Sequence, residues 1–195
     1  MALRNALMAA LLEGEASGYD LAKIFDASVA NFWLATPQQL YRELDRMETA
    51  GLVAARVVHQ QSRPDKRLFS LTDAGRRALR EFTAEPPRPG VIRDELLVQV
   101  QAVDVGDGVA VRAAVEERMT AAEAKIARYE RLRAHLLDGR FEDDYLAEAE
   151  RVGPYLTLMR GLSFERENVR WCQHTLKVLA ARASVPAVHR VDGRQ

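Results

Sequence analysis

Apolar residues recur at helical spacing from the start of the chain: Leu3, Leu7, Ala10 and Leu11 share one side of a helix, and the polar run "EGEASG" then interrupts the pattern. A second amphipathic run, "SGYDLAKIFDASVANF", opens with Ser17 and Asp20 at the spacing of a capping box. In the third, "TPQQLYRELDRMETAGLV", start and stop signals agree. Thr36 suits the N-cap, Pro37 the first helical position, Gln39 stands three residues after the cap, and Gly51 closes the helix. Leu40, Leu44 and Met47 fall on one face of that helix, while Gln38, Arg42 and Arg46 point elsewhere.

After Gly51 the period changes from helical toward alternation. "LVAARVVHQQ" and "KRLFSL" are β-favouring runs joined by "SRPD", whose Pro-Asp marks a turn, so a two-stranded hairpin with a basic tip is expected. "TDAGRRALREF" returns to helix, with Thr72 as its cap and Ala74, Ala78, Leu79 and Phe82 turned inward. The segment "AEPPRPG", residues 84–90, holds three prolines and ends in glycine, and it separates this first region from the rest of the chain. Beyond it come a short helical candidate, "VIRDELLVQVQA", and two long helices, from about Val109 to Leu137 and from about Asp143 to Ala183. Val111, Val115, Met119, Ala122, Ile126, Tyr129, Arg133 and Leu136 step by threes and fours as in a coiled-coil seam that Arg133 interrupts. Leu146, Ala149, Val152, Leu156, Met159, Leu162, Val169, Cys172, Leu176 and Leu179 form a second stripe.

The expected fold is therefore mainly α with a small β-hairpin. An N-terminal winged helix-turn-helix spans residues 1–83, a linker 84–90, a long-helix dimerisation and effector region 91–184, and a flexible tail 185–195. Composition adds little that is specific: 48% hydrophobic and 29% charged residues are ordinary for a soluble globular protein. No apolar run approaches the roughly 20 residues of a membrane span, and the start lacks the basic flank and cleavage site of a signal peptide, so a cytoplasmic protein without a membrane partner is expected. A single cysteine, Cys172, and four scattered histidines give neither a disulfide nor a metal site. Cys172 and His174 are two apart on a helix and point in different directions, and no phosphate loop, serine elbow or paired carboxylates stand out. Neither a cofactor nor an enzyme is expected.

The formal net charge is zero, yet its distribution is uneven. From Arg56 to Arg80 seven basic residues, Arg56, Arg63, Lys66, Arg67, Arg76, Arg77 and Arg80, face only Asp65 and Asp73. A helix-turn-helix presents its second helix to the major groove, where glutamine and arginine match adenine and guanine edges. Thr36, Gln38, Gln39 and Arg42 occupy that position, and a wing tip with Arg63, Lys66 and Arg67 adds phosphate neutralisation. Blander readings stand beside these: Gln39 completing a capping box, Arg42 on a solvated surface, the basic tip as a solubilising turn.

"QLYRELDRMETAGLV" followed by "RPDKRLFSLTDAGRRAL", together with "SGYDLAKIF", resembles the winged-helix core of the PadR family of bacterial transcriptional regulators over residues 3 to 82, and the long C-terminal helices resemble its larger subfamily. That resemblance implies a homodimer binding double-stranded operator DNA, palindromic by symmetry, and a repressor relieved by a small molecule. Carried onto this chain, it puts DNA-facing positions at Gln39, Tyr41, Arg42, Lys66 and Arg67. Tyr41 has two readings, a ring packed on the helix base with only its hydroxyl at a phosphate, or packing alone. The aromatic residues Phe32, Trp33, Tyr155, Phe164 and Trp171 are either core and dimer seam or the lining of an apolar effector pocket, with Arg160, Arg166 or His174 orienting an anionic group. The alternative to a DNA reader is a winged helix that serves as a protein-interaction module.

Overall fold

The computed structural model describes residues 2–24, 35–59, 65–87, 90 and 93–183. They fall into two compact units, Met1–Pro89 and Gly90–Gln195.

The first unit runs α1 (Ala2–Ala10), a 3-10 turn (Leu11–Glu13), β1 (Ala16–Ser17), α2 (Gly18–Ile24), α3 (Pro37–Thr49), β2 (Val53–Val58), β3 (Lys66–Leu71) and α4 (Asp73–Ala84). The apolar stripes meet in one core: Leu7, Met8 and Leu11 from the first turns, Leu21 from α2, Leu40, Leu44 and Met47 from α3, and Val53 and Phe69 from the sheet. Ala78 and Leu79 of α4 pack on it, but Phe82, expected inward, is exposed, because it lies a turn beyond the last core contact.

The sheet differs from the two-stranded hairpin that the alternating pattern suggests. It has three antiparallel strands in the order β1-β3-β2, with Ala16 opposite Phe69 and Ser17 opposite Leu68. β1 is two residues long, too short to leave an alternating signature, and its register is set by pairing with β3 alone. Ser17 still caps α2: its Oγ accepts from the Asp20 N–H at 3.1 Å and donates to the Asp20 carboxylate at 2.8 Å.

The end of α3 is a Schellman motif. Gly51 takes φ +67°, its N–H bonds to the Glu48 carbonyl at 2.9 Å, and the Leu52 N–H bonds to the Met47 carbonyl at 2.9 Å. The Leu52 carbonyl then receives the Thr72 N–H at 3.2 Å and the Thr72 hydroxyl at 3.1 Å, which docks the start of α4 on the α3–β2 turn. Gly75 makes that approach possible: a Cβ there would stand 2.1 Å from the Leu52 carbonyl oxygen. Backbone cannot move aside as a flexible side chain can, so Gly75→Ala is expected to lower stability by about 1–3 kcal/mol. Thermal unfolding of the full chain checks this, and an unchanged midpoint would contradict the close docking of α4.

The second unit contains α5 (Glu95–Gln101), α6 (Gly108–Leu137), α7 (Glu142–Glu148) and α8 (Gly153–Ala183). α6 and α8 pack antiparallel along their length: Val115 meets Cys172, Lys125 meets Glu165, and Arg133 meets Tyr155. The first stripe was legible, with Val111, Val115, Ala122 and Tyr129 buried. The second long helix is broken. The chain leaves helix after Glu148 and resumes at Gly153-Pro154, where proline suits a new first turn but not a helix interior. The buried face of α8 is accordingly Tyr155, Leu158, Leu162, Glu165 and Cys172, while Leu156, expected inside, is 56% exposed.

Arg133 disturbs the apolar seam because it donates from Nε to the buried Tyr155 hydroxyl at 3.0 Å and from Nη2 to Glu142 at 2.7 Å, tying α7 to the pair. Glu165 is almost wholly buried, and both its oxygens are satisfied, by Lys125 Nζ at 2.8 Å and by the Asn168 amide at 2.9 Å. Asp94 both caps α5, accepting the Leu96 N–H at 3.1 Å, and takes a two-pronged contact from Arg118 of α6 at 2.8 and 3.0 Å. The Arg118 guanidinium holds the Asp94 carboxyl below its usual range against the opposing cost of burial. A depressed carboxylate pKa contributes stability that is complete above the unfolded value, about 4, and is lost as pH falls through the folded one. Asp94→Asn is therefore expected to be less stable than the parent at neutral pH and to converge on it in acid. Melting midpoints from about pH 7 down to about pH 3 test this, and a gap that stays constant would show that the pair is not the cause.

Candidate nucleic-acid interface

The buried side of α3 fixes what its other side presents. With Leu40, Leu44 and Met47 at most 2% exposed, Gln38, Tyr41, Arg42 and Asp45 lie at i, i+3, i+4 and i+7 on the outer face. At the N-terminal end the capping box is complete. The Thr36 Oγ1 accepts from the Gln39 N–H at 3.3 Å, and the Gln39 Oε1 accepts from the Thr36 N–H at 2.9 Å. Gln39 is thus engaged in the helix start, as its capping-box reading has it, while Gln38 is exposed on the outer face.

Tyr41 is packed, which both of its readings share. Its ring lies against Gly18 of α2, where a Cβ would meet Tyr41 Cε1 at 2.2 Å, yet 46% of the residue remains exposed. Gly18 is a residue that pattern reading passes over: it lets the first helix of the helix-turn-helix sit close enough to seat that ring. Arg42 is exposed and makes no hydrogen bond or ion pair among the described residues, while its neighbour Glu43 is taken by Arg46 at 3.4 Å.

The wing is less cationic than the sequence suggests. Arg63 lies outside the described residues. Lys66 pairs with Asp20 of α2 at 2.8 Å, and the carboxyl of Asp20 is lowered chiefly by that lysine and then by Ser17. Arg67 reaches Asp45 and Glu48 of α3, the first at 3.1 Å, and Arg56 reaches Glu15 through Nε at 2.8 Å. His59 meets Asp65 at 2.9 Å. The neutralising carboxylates come from residues 15, 20, 45 and 48, outside the basic segment, so counting charge along the segment could not find them. Arg76, Arg77 and Arg80 remain exposed along α4.

The described members of the aromatic set do not converge. Phe32 and Trp33 lie outside the described residues. Tyr155 is buried beside Tyr145 and Arg133, and Trp171 packs with Leu96, Val115 and Cys172, sixteen residues further along α8 or roughly 24 Å at 1.5 Å per residue. Phe164 is 46% exposed, with the Arg160 guanidinium 5.6 Å from its ring centre. Among the described residues no cluster of histidine, cysteine and carboxylate side chains could hold a metal ion, and no helix is long and apolar enough to cross a membrane.

A helix-turn-helix followed by a β-hairpin wing, with a separate unit of long antiparallel helices, defines a winged-helix protein. The transcriptional regulator PadR-like family matches residues 7–81, and the C-terminal region of the virulence activator alpha family matches residues 92–180. A probable transcriptional regulator of Mycobacterium tuberculosis is 33% identical over 187 residues, covering 92% of this chain and 98% of that protein. The negative transcriptional regulator PadR of Bacillus subtilis is 25% identical over 185 residues, covering 91% of this chain and 97% of its own length. Its crystal structure in complex with operator DNA superposes with a TM-score of 0.72 at 23% identity, and its complex with p-coumaric acid with 0.66 at 22%, each covering 92% of this chain and 99% of the other. The chain belongs to the PadR family of transcriptional regulators. Its class is one of regulators and not of enzymes.

Proposed function

We propose that the chain is a homodimeric repressor that reads a palindromic operator through the N-terminal half of α3 and is released from it by a small aromatic acid. One observation carries the DNA assignment: α3 turns Gln38, Tyr41 and Arg42 outward on a helix whose opposite face is locked in the core, and Arg42 meets no anion among the described residues. Base edges in the major groove supply the acceptors such a face lacks. Thr36 and Gln39 hold the N-terminal turn, whose free N–H groups favour a backbone phosphate, and the wing, with Arg63 at its tip and Lys66 once a phosphate displaces Asp20, supplies further phosphate contacts.

The geometry of DNA reading supports a dimer. One such head reads too few base pairs, and two heads set one helical turn or a multiple of it apart require a symmetric pair. The second unit offers the surface, since Leu97, Val98, Val109, Leu156 and Phe164 expose large apolar side chains on its helices. Negative regulation and an aromatic acid effector are supported by the Bacillus relative, which is named a negative regulator and has been crystallised with p-coumaric acid.

Selection of bound duplexes from a random pool tests the first half: one palindromic motif is expected to be enriched. With that duplex, p-coumaric acid and related aromatic carboxylates are expected to weaken binding, and by linkage the duplex must weaken the acid's binding by the same factor. A pool that yields no motif would overturn the operator assignment. A motif whose affinity none of these acids alters would overturn only the effector class.

A further inference from the structure

Arg67 is, by its charge and its place in the wing, an obvious phosphate ligand, but its surroundings give it another task. Strand alternation sets it on the same side of β3 as the buried Phe69, and its guanidinium stands 5.0 Å from that ring's centre. From there it forks onto α3: Nη1 donates to Asp45 Oδ1 at 3.1 Å and Nη2 to Glu48 Oε2. Asp45 and Glu48 are one turn apart in the C-terminal half of α3, where the helix dipole disfavours carboxylates. Two acids in that position are a local liability unless a cation from elsewhere offsets them, and Arg67 is that cation. The contact joins the wing to the C-terminal half of the recognition helix, about one turn beyond Arg42.

We infer that Arg67 is a positioning residue: it clamps β3 to Asp45 and Glu48 and so sets the angle at which the reading face of α3 stands to the wing. The inference rests on the operator reading proposed above. Its consequence is a specific one. Loss of the clamp lets the head tilt, so it erodes discrimination between sequences while leaving the number of neutralised phosphates unchanged.

Two measurements test it on the full chain. The first needs no DNA: thermal unfolding of Arg67→Met, of the double variant Asp45→Asn/Glu48→Gln, and of the triple. If the clamp exists the triple costs no more than either alone, whereas additive costs overturn the clamp whether or not the chain reads DNA. The second titrates the duplex enriched by the parent, and a scrambled duplex, from about 50 to about 200 mM salt. Arg67→Met is expected to lower the ratio of the two affinities by about tenfold with the parent's salt slope, and Asp45→Asn/Glu48→Gln to do the same. A slope reduced by about one, with both duplexes weakened alike, would make Arg67 a phosphate ligand and overturn the inference. So would tighter operator binding by the carboxylate variant at an unchanged ratio. If the parent itself enriches no duplex, the operator reading fails and the unfolding cycle alone decides the clamp.

Discussion

A chain that ends after Gly90 is expected to fold, to sediment as a monomer, and to bind the operator about 10² to 10⁴ times more weakly than the full protein. Folding is expected because the first unit has its own core, built from Leu7, Met8, Leu11, Leu21, Leu40, Leu44, Met47, Val53 and Phe69. The loss of affinity is a matter of effective concentration. When two heads are joined, the second binds as an intramolecular event, and cutting the join forfeits that gain without touching one DNA contact. Analytical ultracentrifugation and an operator titration of the truncated chain measure the two effects. A truncated chain that stays a tight dimer would move the interface to the first unit.

Arg42→Ala is expected to cost about 1–3 kcal/mol of discrimination between operator and random duplex, while binding to random duplex changes little. The side chain is exposed, makes no ion pair among the described residues, and lies on α3 away from its buried leucines, so the substitution has no packing to disturb. Gln38→Ala is expected to act in the same sense and to relax a different base position. The check is a titration of both duplexes with each variant, beside a melting curve. Arg42→Ala binding the operator as the parent does, at parental stability, would remove α3 from the role of reader.

How much of this could be read in the sequence depended on the range of the interaction concerned. The course of α3 was legible from Thr36 to Gly51 because its cap, its proline, its apolar stripe and its closing glycine are all local, and each appears where local rules put it. β1 was not, because two residues carry no period and exist as a strand only by pairing with β3, far along the chain. The break before Gly153 was hidden by apolar residues that continue the stripe through Val152, although Pro154 was a local signal that a new first turn begins there. At the candidate site the residue types were visible, but their partners were not. The carboxylates of Glu15, Asp20, Asp45 and Glu48 reach the wing only through the fold, and Gly18 and Gly75 matter only because Tyr41 and the Leu52 carbonyl come to rest against them. Tyr155 and Trp171 share a helix, and its rise over the sixteen residues between them keeps them apart.

Whether this winged helix neutralises DNA phosphates or docks on a protein is decided by the salt dependence of binding to the enriched duplex by the full chain. Each phosphate neutralised contributes about 0.9 to the slope of log affinity against log salt, so two heads that each place Arg63 and Lys66 on phosphates predict a slope of about −3.6 or steeper, and a scrambled duplex that is bound far more weakly. A slope near zero, with operator and scrambled duplex bound alike, would overturn the DNA reading and favour a winged helix that assembles proteins.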